Sequence, residues 1–282
     1  MNKVRIVIDS TTDVSTGVRD RLTVIPLNIM FGKDQYIDGV TIDHRRFYEL
    51  LTTSDVLPTT SQPTPEAFAN VYRQARAQGE DVVVLTISSR LSGTYQCATL
   101  AAEDYPEHVF VVDSRNVTIG TGVLAELALQ LVDAGMSAAA IAQRLIQERD
   151  NVRMIALLDT LEYLQRGGRI SKVAAMAGGL LSIKPVIEVR KGELNLLGKA
   201  RGARQGYNLL TREVESTGGI DFARPVLLGY TGLDDQLLRN YVASSADLWQ
   251  PGGAEIPVAA VGSVVGTHGG PGAIATAFFV HP

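Results

Sequence analysis

Sulfur chemistry is nearly absent: the 282 residues contain one cysteine, Cys97. An intrachain disulfide is therefore excluded, and a reducing, cytoplasmic setting is expected. The four histidines (His44, His108, His268 and His281) show no H-x-x-x-H spacing, and no C-x-x-C occurs, so no metal site is legible. A formal net charge of −4 gives the chain no general pull on nucleic acid, and any anion site has to be built locally. No stretch supplies the ~18 uncharged apolar residues of a membrane span. "GVLAELALQLVDAG" comes nearest, and its Glu126, Gln130 and Asp133 fit the polar face of an amphipathic helix. The hydrolase elbow G-x-S-x-G and the phosphate-binding loop G-x-x-x-x-G-K-[ST] are also missing.

What is present is an alternation of short apolar runs and helical patterns. "VRIVIDS", "LTVIPLNIMF", "DVVVLTIS" and "HVFVVDS" read as buried strands, and the stretch around the first lacks the long apolar core and small-residue cleavage site expected of a signal peptide. Helices are predicted at 43–52, 64–78, 92–104, 118–134 and 137–149. That order argues for a largely parallel sheet covered on both faces. Farther on, "VRMIALLD" and "RPVLLGYT" read as strands, "KPVIEVRKGELNLLGKAR" as a hairpin turning at Lys191-Gly192, and "IPVAAVGSVVGTH" with "AIATAFFV" as a closing strand pair. The expected architecture is two α/β domains, 1–150 carrying the hydroxyl-rich loops and 151–282 housing a ligand tunnel, with a ligand cleft at and below their interface. Open α/β sheets bind ligands beyond the carboxyl ends of their strands, which directs attention to the loops there.

Three loops carry polar side chains that fold propensity does not demand. In "TISSRLSGTYQ", Ser92 stands where a strand gives way to a helix, a favoured position for a cap, and Gly93 permits a close approach to the backbone. The same position suits a carboxylate or phosphate ligand, whereas a nucleophile needs a base beside it. In "LPTTSQPTPEAF", Thr64-Pro65-Glu66 reads as a cap followed by proline at the first helical position. Capping leaves Thr59, Thr60 and Ser61 unexplained, on a loop stiffened by three prolines. In "VVGTHGGPGA", His268 follows an apolar strand and sits among glycines, where an imidazole is able to hydrogen-bond an acidic group.

Two basic segments, "RGGRISK" and "KARGAR", lack interleaved aromatics, which argues against stacking on single-stranded nucleic acid. Phosphate or an acidic protein partner suits them better. "VAAMAGGLLSIKPVIEV" has small residues that leave a slot lined by Met176, Leu180, Leu181, Ile183 and Val186, although ordinary helix packing explains the same pattern.

Taken together, "IDSTTD", "TSQPTPEAF", "SSRLSGTYQ", "VVDSRNVTIGTG", "LEYLQRGGRIS", "SIKPVIEV" and "THGGPGA" resemble the bacterial DegV family over essentially the whole chain. The resemblance implies a two-domain α/β protein that binds a long-chain fatty acid and presents its carboxylate to a separate ATP-binding kinase subunit, which forms an acyl phosphate. It implies that Thr60, Ser61, Ser92 and His268 hold the carboxylate, with Arg169, Arg201 and Arg204 near the head group and the docking face for the kinase. The head-group loops then belong to 1–150 and the acyl-chain tunnel to 151–282. The chain is expected to have no catalytic residue, cofactor or metal of its own. It is expected to act as a monomer in the cytoplasm, with at most transient membrane contact. A lipid-responsive regulator without phosphoryl transfer fits the same pocket, and a stand-alone serine hydrolase is a further alternative. Burying about 14 methylenes at ~0.8 kcal/mol each contributes roughly 11 kcal/mol. Association and chain ordering oppose this by ~4–15 kcal/mol, so the tunnel has to be largely preformed.

Overall fold

β1 (Lys3–Asp9), β2 (Thr23–Ile25), β6 (Glu80–Thr86) and β7 (Val109–Asp113) form a parallel sheet in the order β2-β1-β6-β7. They belong to a computed structural model that describes residues 3–169, 183–250 and 255–281. Strand side chains alternate between faces. Val7, Val82 and Val84 therefore pack with Phe68 and Tyr72 of α3 (Pro65–Ala77) and with Ala98 of α4 (Thr94–Ala102). Ile6, Ile8, Val83 and Leu85 face the other way, toward α5 (Ile119–Asp133) and α6 (Ala138–Glu148). Thr64 and Ser137 cap α3 and α6, accepting the backbone N–H of Ala67 and Ala140.

The run "LTVIPLNIMF" is not one strand. Proline donates no backbone hydrogen bond and fixes φ, so a central ladder does not run through it. After a short α1 (Thr16–Arg19) and β2, the chain leaves the first sheet at Pro26 and enters a second, antiparallel sheet. That sheet has the order β4-β3-β5, from β3 (Asn28–Phe31), β4 (Asp34–Ile37) and β5 (Thr59–Ser61), and it packs beside α2 (His44–Thr53). Thr60 is thereby carried on β5, paired with Ile29.

The third sheet uses only strands after residue 150, in the order β10-β9-β8-β13-β11-β12. These are β8 (Val152–Leu157), β9 (Ile183–Arg190), β10 (Glu193–Arg201), β11 (Leu227–Tyr230), β12 (Val258–Ala260) and β13 (Ile274–Phe279). Only β11 and β12 pair in parallel. The hairpin turns at Lys191 and Gly192, both at positive φ (52° and 83°), as a two-residue turn matching strand twist requires. α8 (Gly202–Glu215), α9 (Gln236–Ser244) and α10 (Ala246–Trp249) cover one face through Leu210, Tyr241 and Trp249. The other face meets α5, so that both sheets share one hydrophobic core. α7 (Glu162–Arg166) follows β8, and α11 (Ser263–Gly269) lies between β12 and β13. Among the described residues, no helix is long and apolar enough to cross a membrane.

Candidate functional site: an apolar cavity ending in hydroxyls

Strand parity builds the cavity. On β8 and the residue after it, Met154, Ala156 and Leu158 face the first sheet, while Ile155 and Leu157 face α8. Ala156 is flanked by Ala275 on β13 and Ile187 on β9. Small alanines at the centre of this face leave space between the layers. The result is a cavity of about 300 Å³, at the lower end of the ~300–1,000 Å³ usual for small-molecule sites. Its opposite wall comes from loops at the carboxyl ends of β1 and β6 and from the approach to α5, through Thr11, Ile87, Val117 and Thr118. The cavity is thus not housed in the C-terminal half alone. It lies between the strand ends of one sheet and a face of another, because neither half closes a pocket by itself.

One end is polar. Leu158 and Ala273 mark the edge of the third sheet from which α7 and α11 depart, and there Thr60, Ser61, Ser92, Arg169 and His268 line the cavity together. Thr60 Oγ1 is 3.1 Å from His268 Nε2. Ser92 Oγ lies 2.9 Å from Thr94 Oγ1 and accepts the Thr94 backbone N–H at 3.3 Å. The residue that caps α4 is Gly93, so Ser92 stands one position outside the helix. Gly93 serves a close approach, as its sequence position suggested, and the approaching group is Gln62. A Cβ on Gly93 would fall 2.1 Å from Gln62 Oε1, while Gln62 Nε2 reaches Cys97 Sγ at 3.0 Å. Gln62 also lines the cavity, and no motif singled it out.

His268 departs from its sequence reading. The segment read as a strand and glycine turn is α11, and His268 occupies its last turn. Burial, reinforced by the nearby Arg169 charge, pushes the imidazole down from 6.5 to about 4, so it is neutral at physiological pH. Nδ1 is buried without a hydrogen-bond partner and lies over Gly167, where a Cβ would come within 2.1 Å of it. Gly167 in "RGGR" accordingly makes room for the ring.

Other expectations are corrected. Val186 does not line the cavity: its parity sends it to the opposite face, against Leu157 and Leu210, and Ile187 takes the lining position. Ile183 is absent from the lining, since it begins β9 at the sheet edge opposite Arg201. Met176, Leu180 and Leu181 lie outside the described residues. Of the three arginines, only Arg169 lines the cavity; its Nη1 donates to the Gly167 carbonyl at 2.9 Å. Arg201 and Arg204 are exposed where β10 passes into α8 and do not reach the head-group end.

The imidazole has a measurable signature. Its pKa of about 4 lies below the 6.5 of the free side chain. The unfolded chain therefore binds the extra proton, and the contribution of His268 to stability is complete above pH 6.5 and lost as pH falls through 4. Asp13, raised by burial from 3.8 to about 7, slopes the opposite way, its contribution being lost as pH rises through 7. In wild type the two largely offset each other. His268→Gln removes the first, so its stability relative to wild type should improve by about 3 kcal/mol between pH 7 and pH 4 in urea denaturation, at ~1.4 kcal/mol per pH unit. A difference constant across that range would place the imidazole in solvent.

The chain matches the model of the uncharacterised DegV protein family over residues 3–281. A DegV domain-containing protein of Deinococcus radiodurans is 36% identical over 280 residues, 97% of each chain. Among solved structures, a fatty-acid-binding DegV family protein of Thermus thermophilus superposes with a TM-score of 0.88 at 31% identity, covering 99% of this chain and all of its own. A stearic acid-binding protein of Eubacterium ventriosum gives 0.85 at 29%, covering 99% of this chain and 98% of its own. With the fold, the cavity and the signature segments in agreement, the chain belongs to the DegV family.

Proposed function

We propose that this protein binds a long-chain fatty acid, with the hydrocarbon in the cavity between the sheets and the carboxylate at Thr60, Ser92 and His268, and presents that carboxylate for phosphorylation by a separate ATP-binding subunit. One observation carries the reading: an apolar cavity whose polar end gathers hydroxyls from β5 and from the loop before α4. A carboxylate only accepts hydrogen bonds and is costly to bury unpaired, so it requires donors. Ser92 Oγ accepts the Thr94 backbone N–H, and with the Thr94 hydroxyl as the donor in their pair the Ser92 O–H is free to donate to the carboxylate. With His268 in its Nε2–H tautomer, the imidazole donates to Thr60 Oγ1 and frees the Thr60 O–H in turn. A serine nucleophile finds less support, because the imidazole is bonded to Thr60 and the partner of Ser92 is Thr94. The fatty-acid-binding relatives from Thermus and Eubacterium favour the same ligand class.

The kinase half of the proposal rests on what the donors leave open. Two hydroxyls occupy part of the carboxylate, and a remaining oxygen is able to attack a γ-phosphorus, forming an O–P bond as the bond to the leaving nucleoside diphosphate breaks. Arg169 at the rim offsets the charge gathered there, and Arg201 with Arg204 provides an exposed basic face for an acidic partner surface. Arg204→Ala is expected to lower acyl-phosphate formation about tenfold in a coupled assay with ATP and the kinase subunit, while fatty-acid affinity stays within about twofold. Parallel losses in both assays would remove the division of labour, and acyl phosphate formed without the second subunit would make this chain the kinase.

A further inference from the structure

Three carboxylates that do not line the cavity are buried between the first sheet and α11: Asp9, Asp13 and Asp38. Asp9 is absorbed within its own loops, accepting from Thr11 and from the Ile87 N–H at 2.7 Å. The other two reach α11. Asp13 Oδ1 accepts the Gly262 N–H at 2.9 Å, and Oδ2 accepts the Thr118 hydroxyl at 2.6 Å. Asp38 lies beside them, its Oδ2 3.8 Å from where a Cβ on Gly262 would stand, and burial raises its pKa against the favourable influence of Ser10 and Ser263. Gly262 is the residue before α11 and Ser263 its first, so Asp13 grips this turn and Asp38 faces it.

Burying acids without a paired cation is costly, and burial raises both of them. Part of what offsets this cost fixes one short helix, through the Gly262 N–H on Asp13. α2 completes the seat: Tyr48 Oη donates to the Val261 carbonyl at 3.1 Å. A Cβ on Gly266 would meet Tyr48 Oη at 2.4 Å and Phe47 at 2.8 Å, so α11 lies flush on that helix. From this seat α11 carries Val264, Val265 and His268 into the cavity wall, and its last turn meets Thr60.

We propose that Asp13 and Asp38 are positioning residues for carboxylate recognition, acting through α11 to hold His268 against Thr60. The proposal rests on the head-group reading above. Its test uses Asp13→Asn, Asp38→Asn and Gly262→Ala; the last adds a Cβ 3.2 Å from Asp13 Oδ1 and disturbs the grip without removing a carboxylate. Two measurements follow. The His268 imidazole is titrated by NMR in ligand-free protein, where wild type should titrate near 4 and each folded variant at least about one pH unit higher as the ring loses its enclosure. Affinities for palmitic acid and hexadecanol are then compared: the acid-to-alcohol ratio should fall about tenfold in the variants, with alcohol affinity held within about twofold. Folded variants with an unchanged His268 titration and an unchanged ratio would overturn the proposal, as would equal losses for acid and alcohol. A wild type that does not prefer the acid would instead overturn the head-group reading, and the imidazole titration would still decide whether Asp13 and Asp38 position His268.

Discussion

Ala156→Phe is expected to weaken binding of a long-chain acid about a hundredfold and to leave a short-chain acid nearly unaffected. Ala156 sits at the middle of the cavity face, between Ala275 and Ile187, in the row beyond Leu158 as counted from the hydroxyl end. A benzyl group there occupies space that the chain would otherwise fill, displacing about four methylenes at ~0.8 kcal/mol each. The loss of roughly 3 kcal/mol corresponds to about a hundredfold in affinity. An eight-carbon acid has fewer methylenes to lose beyond that row when its carboxylate is at Thr60. Overpacking is the competing effect, at ~1–3 kcal/mol in a filled core, and the empty volume at this position reduces it. Titration calorimetry with palmitic and octanoic acids, alongside thermal melts, separates the two. Equal affinity of wild type and variant for palmitic acid would mean that the chain does not run between the sheets.

The second large effect is expected from Thr60→Val combined with Ser92→Ala. Valine keeps the shape of threonine on β5 and removes only the hydroxyl, and alanine removes the Ser92 donor without touching Gly93, which caps α4. A hydrogen bond to a charged group contributes ~1.5–3 kcal/mol, so losing two should lower acid affinity by roughly two to four powers of ten. The methyl ester of the same acid carries no charge and should lose far less. His268 remains neutral in this variant at physiological pH and does not replace the lost donors with a cation. If ester and acid weaken alike, the hydroxyls serve the fold and not the head group.

The polar end of the site was legible because it contradicts local propensity. Thr59, Thr60 and Ser61 precede a cap that Thr64 already provides, and Ser92 stands just outside the helix that Gly93 caps. Having no capping task marks Thr59, Thr60 and Ser61, whereas Ser92 reads as a favoured cap position that also suits an anion, and its hydroxyl does accept the Thr94 N–H. The strands of the first sheet were legible for a related reason: each is a short β-branched run set off by helical pattern.

The acyl wall was harder to read. β9 is buried on both faces, so its hydrophobicity has no period-two signal, and a one-residue error in parity exchanged Ile187 for Val186. Only the pairing of β9 with β8, a contact across the chain, settles which face each side chain takes. α11 was read as a strand because Val264, Val265 and the glycines beside them have poor helix propensity. Its helical form is imposed from outside, by Asp13 and Asp38 at its first turn and by α2 against Gly266. Pro26 was visible in "LTVIPLNIMF", and its meaning as a sheet boundary follows once the missing N–H is set against the need of a central strand for one.

The most direct measurement is denaturing solvent extraction of the purified protein, followed by mass spectrometry of the released lipid in wild type and in Ala156→Phe. One fatty acid per chain is predicted from wild type, with markedly less, or a shorter acid, from the variant. Extracts without fatty acid from wild type, or an identical long-chain acid at equal yield from both proteins, would contradict the claim that the hydrocarbon lies between the two sheets.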